Sequence, residues 1–253
     1  MCTSKMQFHL QICALVALGV TGITSSASLP SIFKKCKLED ESCLKSSAEY
    51  AIANLGNGLK ELGIDSIDPL HVGTTEILPK PGPMNIYQRY EDNKVGHLPK
   101  LNVKQFRVNL DKCEMSLETF HPELRLYGNY TLKGNLLGEE IDARGEGNGI
   151  VGNVGLTVTM ICEKYTKDNE EYMRVTDVKT SIVWGQPVLI QLGEIVKGND
   201  EYNKKVDNFL NENSKTFIET FTDELQDNIS NSVKDISNKV FSKYSIKEIF
   251  DIN

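Results

Sequence analysis

Gly147-Asn148-Gly149-Ile150-Val151-Gly152 has the GxGxxG spacing with which a glycine-rich turn admits a pyrophosphate to the N-terminus of a helix. The residues that follow alternate as a strand through Val154, Leu156 and Val158. No helix end is there to receive phosphate, and the stretch reads as a glycine-rich turn or bulge. Acid-base and metal chemistry find no better footing. His71, His97 and His121 lie far apart, have no HExxH or GxSxG companion, and read as surface histidines. No cysteine has the CxxC or Cys/His spacing of a zinc site. The residue types therefore predict no catalytic group, no metal ion and no cofactor. What remains is apolar. Tyr130 and Trp184 stand out because each joins a large apolar body to one hydrogen-bond donor that suits an ester or epoxide oxygen.

The first 27 residues predict the compartment. Met1 to Ala27 carries one lysine, no acid and an apolar run from Ile12 to Val20 that ends in small residues, the pattern of a cleaved signal peptide. The run is shorter than the roughly 20 residues a membrane-spanning helix needs, and no later segment is apolar for long enough. The mature product, residues 28–253, is expected to be a soluble extracellular domain. The whole chain has a formal charge of −7, and loss of Lys5 makes the mature chain more acidic still. That balance argues against nucleic acid and anionic membranes as partners.

Cys2 and Cys13 leave with the signal, so Cys36, Cys43, Cys113 and Cys162 remain for an oxidising environment. Cys36 and Cys43 lie seven positions apart where a short loop leads into a helix, which favours a bond between them. Cys113 and Cys162 both fall in strand patterns and are either cross-strand partners or two buried thiols. The sequons Asn129-Tyr130-Thr131 and Asn228-Ile229-Ser230 offer two candidate glycosylation sites.

The elements that would position these residues follow from periodicity. From Asp40, the residues Leu44, Ala48, Ala51, Ile52, Leu55, Leu59 and Leu62 recur at steps of three and four up to Gly63, predicting an amphipathic helix of about five to six turns. Pro69 turns the chain away, and Pro79 to Pro83 mark a loop. Residues 85–192 read as strand after strand, with Phe106, Val108 and Leu110, then Leu124, Leu126, Tyr130 and Leu132, then Leu156, Val158, Met160 and Cys162, then Val178, Thr180, Ile182 and Trp184 on one face. Asp168-Asn169 and Gly147-Asn148-Gly149 are the turn signals between them. Residues 199–244 contain neither proline nor glycine and keep an apolar stripe through Phe209, Phe217, Phe221 and Val233, as expected of a helix of ~40 residues and ~60 Å. Its irregular steps suit a helix covered by its own sheet better than a coiled coil.

Several of these segments, in this order, resemble the insect juvenile hormone-binding and takeout family. They are Leu29-Pro30 before Cys36-x6-Cys43, Gly63-Ile64-Asp65-Ser66-Ile67-Asp68-Pro69-Leu70, Leu124-x-Leu126-x-Gly128-x-Tyr130-x-x-x-Gly134, Gly145 with Gly147, Phe209-Leu210-Asn211, and Ile236-Ser237-Asn238-Lys239-Val240-Phe241 with Ile249-Phe250. The resemblance covers nearly all of the mature chain. It implies an α+β fold, TULIP-like, in which a long C-terminal helix is wrapped by a strongly curved antiparallel sheet around an elongated hydrophobic tunnel. It also implies a disulfide between Cys36 and Cys43. Hormone-binding members carry a second disulfide toward the C-terminus, which this chain lacks because no cysteine follows Cys162.

The function expected is a monomeric haemolymph or extracellular carrier of a small hydrophobic ligand, juvenile hormone or a similar lipid, with no chemical step. Tunnel-lining candidates are Phe106, Val108, Leu126, Tyr130, Leu132, Val158, Met160, Trp184, Phe217 and Phe221, and the N-terminal helix is the expected lid. A protein-interaction module using the long helix, and a lipid esterase, are the alternatives.

Overall fold

Two strands of unusual length set the architecture. β5 (Glu114–Leu136) and β6 (Glu139–Lys167) have 23 and 29 residues. Drawn straight, β5 alone would reach ~75 Å, against ~45 Å across a folded chain of this size. The hairpin therefore has to curl. The computed structural model describes residues 28–79, 81 and 85–252, so the expected signal segment, Met1 to Ala27, lies outside the described residues. Leu137 and Gly138, both with positive φ, make the two-residue turn between these strands. Asp168 and Asn169 do the same between β6 and β7 (Glu170–Val183).

β5 and β6 keep one register from Glu114↔Ile161 to Leu136↔Glu139, interrupted only at Pro122 and Asn153, but each strand changes its outer neighbour halfway. β3 (Tyr87–Gly96) pairs with residues 125–133 of β5 and carries β2 (Leu70–Ile77) on its far side. β4 (Asn102–Asn109) pairs with residues 114–120. On β6, β8 (Val188–Gln191) covers residues 148–151 and β7 covers 155–167. The result is a strongly curled antiparallel half-barrel with two halves, upper (β2, β3, β8) and lower (β4, β7), whose strands pair with one another only through the central hairpin among the described residues.

At the junction the inner face shifts by one residue on both strands. Below it, Met115, Thr119 and His121 are buried, and above it Leu124, Tyr130, Leu132 and Leu136. On β6 the buried set passes from Val158, Met160 and Cys162 to Ile141, Ala143 and Val151. Pro122, with no N–H to give, stands opposite Asn153, whose φ is +54°. The chain from β7 to β8 crosses here: the Asn153 amide donates to the Gln186 carbonyl at 2.6 Å, and Gly152 N–H to Pro187 O at 2.8 Å.

The C-terminal segment closes the barrel. It is helical as expected but not one rod, being divided into α2 (Asp200–Glu212), α3 (Ser214–Glu219) and α4 (Thr222–Phe241). Polar side chains compete with the helical ladder at both breaks. The Asn213 carboxamide and its own N–H both bond the Phe209 carbonyl, at 2.8 and 3.0 Å. The Thr220 hydroxyl and N–H share the Phe217 carbonyl, at 2.7 and 3.1 Å. α4 packs between the sheet edges β2 and β7. Carboxamides on the helices serve the edges of β7 and β8 as an adjacent strand would. Asn238 gives and takes a bond with the backbone of Val175, and Asn211 does so with Ile190.

The N-terminal helix is shorter than its periodicity implies. α1 (Glu41–Asn54), capped by Asp40 accepting from Cys43 N–H at 2.9 Å, gives way to two 3-10 turns at Leu55–Asn57 and Lys60–Leu62. Gly58 ends it, with φ +77° and no room for a Cβ, which would fall 2.6 Å from the Ile64 carbonyl. α1 lies on β4. A disulfide joins Cys36 to Cys43 across a Cα separation of 5.7 Å, and a second joins Cys113 to Cys162 across 5.0 Å. β1 (Cys36–Lys37) pairs in parallel with β9 (Phe250–Asp251), just after α5 (Ile246–Ile249).

Candidate functional site

The upper half contains an apolar cavity of about 110 Å³. Its origin is a block of missing side chains. In this half the inward positions are even-numbered on β5 and odd-numbered on β6, and five of them are glycine: Gly134 stands apart near the turn, and Gly128, Gly145, Gly147 and Gly149 cluster at one level. Gly128 and Gly147 face each other across the ladder, with Tyr130↔Gly145 and Leu126↔Gly149 on either side. Neighbours lean over some of the space. A Cβ on Gly145 would lie 2.6 Å from the Tyr130 hydroxyl, and one on Gly147 would lie 3.1 Å from a Leu192 methyl. Helix and strand residues roof what is left, with Phe217, Ile218, Phe221 and Leu225 above, and Val72, Val95, Val151, Val188 and Ile190 around the sides.

The helix break between α3 and α4 places Phe217 and Phe221 together in this roof. Their ring centroids are 5.0 Å apart, and Phe221 meets Tyr90 edge-on at 4.9 Å. The Tyr90 hydroxyl donates to buried Gln88 at 3.0 Å. Burial pushes the Tyr90 and Tyr130 phenols upward, and the Asp207 carboxylate adds to the shift at Tyr130. Both stay protonated at neutral pH. The wall is thus mostly apolar and aromatic, with a few polar groups at Asn93, Lys94 and Asn148, an arrangement that can hold a hydrocarbon.

Of the ten residues expected to line a tunnel, Leu126, Phe217 and Phe221 border this cavity. Tyr130 and Leu132 belong to the same buried cluster, and Trp184 packs at its edge. The Trp184 indole N–H donates to Thr222 Oγ1 at 2.8 Å. Phe106, Val108, Val158 and Met160 sit in the other cluster, in the lower half, with both disulfides, Met115, Met173 and Val175. α1 packs at that lower end and contributes no residue to the lining of this cavity.

Two further expectations are overturned. Gly147-Asn148-Gly149 is no turn between strands but the middle of β6, and its glycines are the cavity floor. His121 is not at the surface; it is 0 % exposed, with Nε2 3.0 Å from the Thr119 hydroxyl and no partner for Nδ1 among the described residues. Burial lowers its pKa from 6.5 to about 4, so the ring is neutral. The sequons also differ. Asn129 is exposed on the outer face of β5, whereas Asn228 is half-buried on α4, where the Ser230 hydroxyl bonds Thr180 at 2.8 Å. Sequence reasoning passed over the glycine block, although glycines at i, i+2 and i+4 of one strand share a face and announce a space.

A curled sheet closed by helices over an apolar space defines a binding protein for hydrophobic molecules. Residues 11–251 match the haemolymph juvenile hormone binding protein (JHBP) family, and the chain belongs to that family, whose members are binding proteins rather than enzymes. Among curated relatives, the circadian clock-controlled protein daywake of Drosophila melanogaster is 27 % identical over 169 residues, covering 63 % of this chain and 64 % of that protein. Its Drosophila yakuba counterpart is 27 % identical over 168 residues, again with 64 % of its length covered. The chain therefore spans somewhat under two thirds of the curated relatives it matches. Takeout 1 of Epiphyas postvittana has the same fold, with a TM-score of 0.76 at 19 % identity, covering 86 % of this chain and 99 % of that one.

Proposed function

We propose that this protein is a secreted, monomeric carrier that holds the apolar part of a small hydrophobic molecule over the glycine floor of the upper half and transports it by equilibrium binding. Juvenile hormone, another terpenoid or a fatty chain is the ligand class, and residues 28–253 act as one carrier domain after removal of the leading segment. The observation that carries this reading is the block of inward glycines beneath an apolar, aromatic roof. Two disulfides suit an oxidising extracellular fluid. Among the described residues no helix is long and apolar enough to cross a membrane.

Burial of ~400 Å² of ligand surface at ~25 cal/mol per Å² contributes ~10 kcal/mol before the entropic costs of association, enough for micromolar or tighter binding without a charged anchor. Pairing through the C-terminal helix has less support, because Leu225, Ile229 and Val233 of α4 pack into the protein's own core. Titration of the purified mature protein with juvenile hormone and with long-chain fatty ligands tests the carrier reading. Dissociation constants below ~10 μM for at least one apolar ligand are expected, and failure of all of them removes it.

A further inference from the structure

The wall of the cavity is interrupted at one level. β3 bulges there: Glu91 pairs with Asn129 and Lys94 with Tyr127, leaving Asp92 and Asn93 outside the ladder opposite Gly128. The Asn93 side chain occupies the space a Cβ on Gly128 would need. On the outer side of this interruption lies a cleft of about 470 Å³, whose lining includes Asp68, Asp92, His97, Asn129 and Glu146. The cavity and the cleft have Lys94, Tyr127, Gly128, Gly147 and Asn148 in common, so they are two sides of one thin wall. Their chemistry is opposite. The inner space is mostly apolar, whereas carboxylates line the cleft.

We propose that cavity and cleft form one bipartite site for an amphiphile, with its aliphatic tail over the glycines and its neutral, hydroxyl-bearing head emerging between β3 and β5 at Asn93 into the cleft. This rests on the carrier reading and narrows its ligand class. The head group follows from the donor and acceptor inventory. Asp68, Asp92 and Glu146 supply carboxylates, which only accept hydrogen bonds, against the single ammonium of Lys94, itself 2.6 Å from Asp92. Asp92 is held ionised, first by its hydrogen bond from Lys94. Hydroxyl groups can donate to these oxygens. A carboxylate or phosphate head has no proton to give and meets excess negative charge.

Three ligands sharing one saturated chain separate the possibilities at pH 8: the monoacylglycerol, the methyl ester and the free acid. The Thr131→Ala background, which cannot carry a glycan on Asn129 in the cleft, is used throughout. The monoacylglycerol is expected to bind about tenfold more tightly than the acid, with the ester between them, as expected for two excess charges acting through partly screened solvent. Glu146→Lys should bring the acid to within about threefold of the monoacylglycerol. Equal binding of all three, an ester as tight as the monoacylglycerol, a tighter acid, or no response to Glu146→Lys overturns the bipartite site while leaving the carrier intact. If none of the three binds, and juvenile hormone does not either, the carrier reading fails and takes this inference with it.

Discussion

The upper and lower halves of the barrel share two strands and one continuous register, yet their inward positions on β6 carry glycines in one half and large side chains in the other. In the lower half the inward positions carry Met115, Val158, Met160 and Met173, and the Cys113–Cys162 bond ties the β4–β5 turn to β6. In the upper half the corresponding positions of β6 are Gly145, Gly147 and Gly149, and no covalent link restrains them. Hydrogen-bonded backbone is the same in both. Side-chain volume at the inward positions decides whether a given level of the sheet is filled or left open.

The largest perturbation of this contrast should come from the lower half. Replacing Cys113 and Cys162 together by serine opens a loop of 49 residues and is expected to cost roughly 4 kcal/mol in denaturant unfolding while changing ligand affinity less than about twofold. A parallel collapse of affinity would mean that the halves do not act separately. His121, at the junction, comes next. Its pKa is depressed in the folded protein, so both states are neutral above pH 6.5 and the unfolded state alone takes up a proton as pH falls toward 4. Stability should therefore drop by about 3 kcal/mol between these limits, and His121→Phe should flatten that part of the profile, as measured by urea unfolding across pH 4–7.

In the upper half the signs reverse. Gly147→Leu fills the floor and should weaken binding by ~100-fold, about 2.7 kcal/mol, with little loss of stability once Leu192 has shifted. Wild-type affinity in this variant would place the ligand elsewhere. The smallest effect is expected at Trp184→Phe, which forfeits the bond to Thr222 for about 1 kcal/mol of stability and leaves affinity unchanged.

Alternation made the sheet legible before any coordinates, because one wet and one hidden face leave a period of two in Leu124 to Leu132 and again in Leu156 to Cys162. The phase shift between those runs was in the sequence too, but Pro122 and Asn153 become its cause only once they are seen opposite each other. The helix breaks were hidden for a different reason: Asn213 and Thr220 are tolerated inside helices, and it is their side-chain bonds that divide this one. β2 escaped notice altogether, since His71 to Glu76 is mostly polar and bulged around Gly73. The cavity was least legible of all. Periodicity reports which side chains are hidden, and here the informative positions have none.

The carboxamides of Asn211 and Asn238 have a consequence for how that hollow is kept open. Greasy contacts alone would let a roof slide over its walls, since one methyl is much like the next. A donor and an acceptor aimed at one particular peptide unit permit a single seating, so each helix is indexed to the sheet like a key to its wards. Asn211 thereby fixes the roof beside Ile190 at the cavity, and Asn238 fixes the same helical segment on β7 below it.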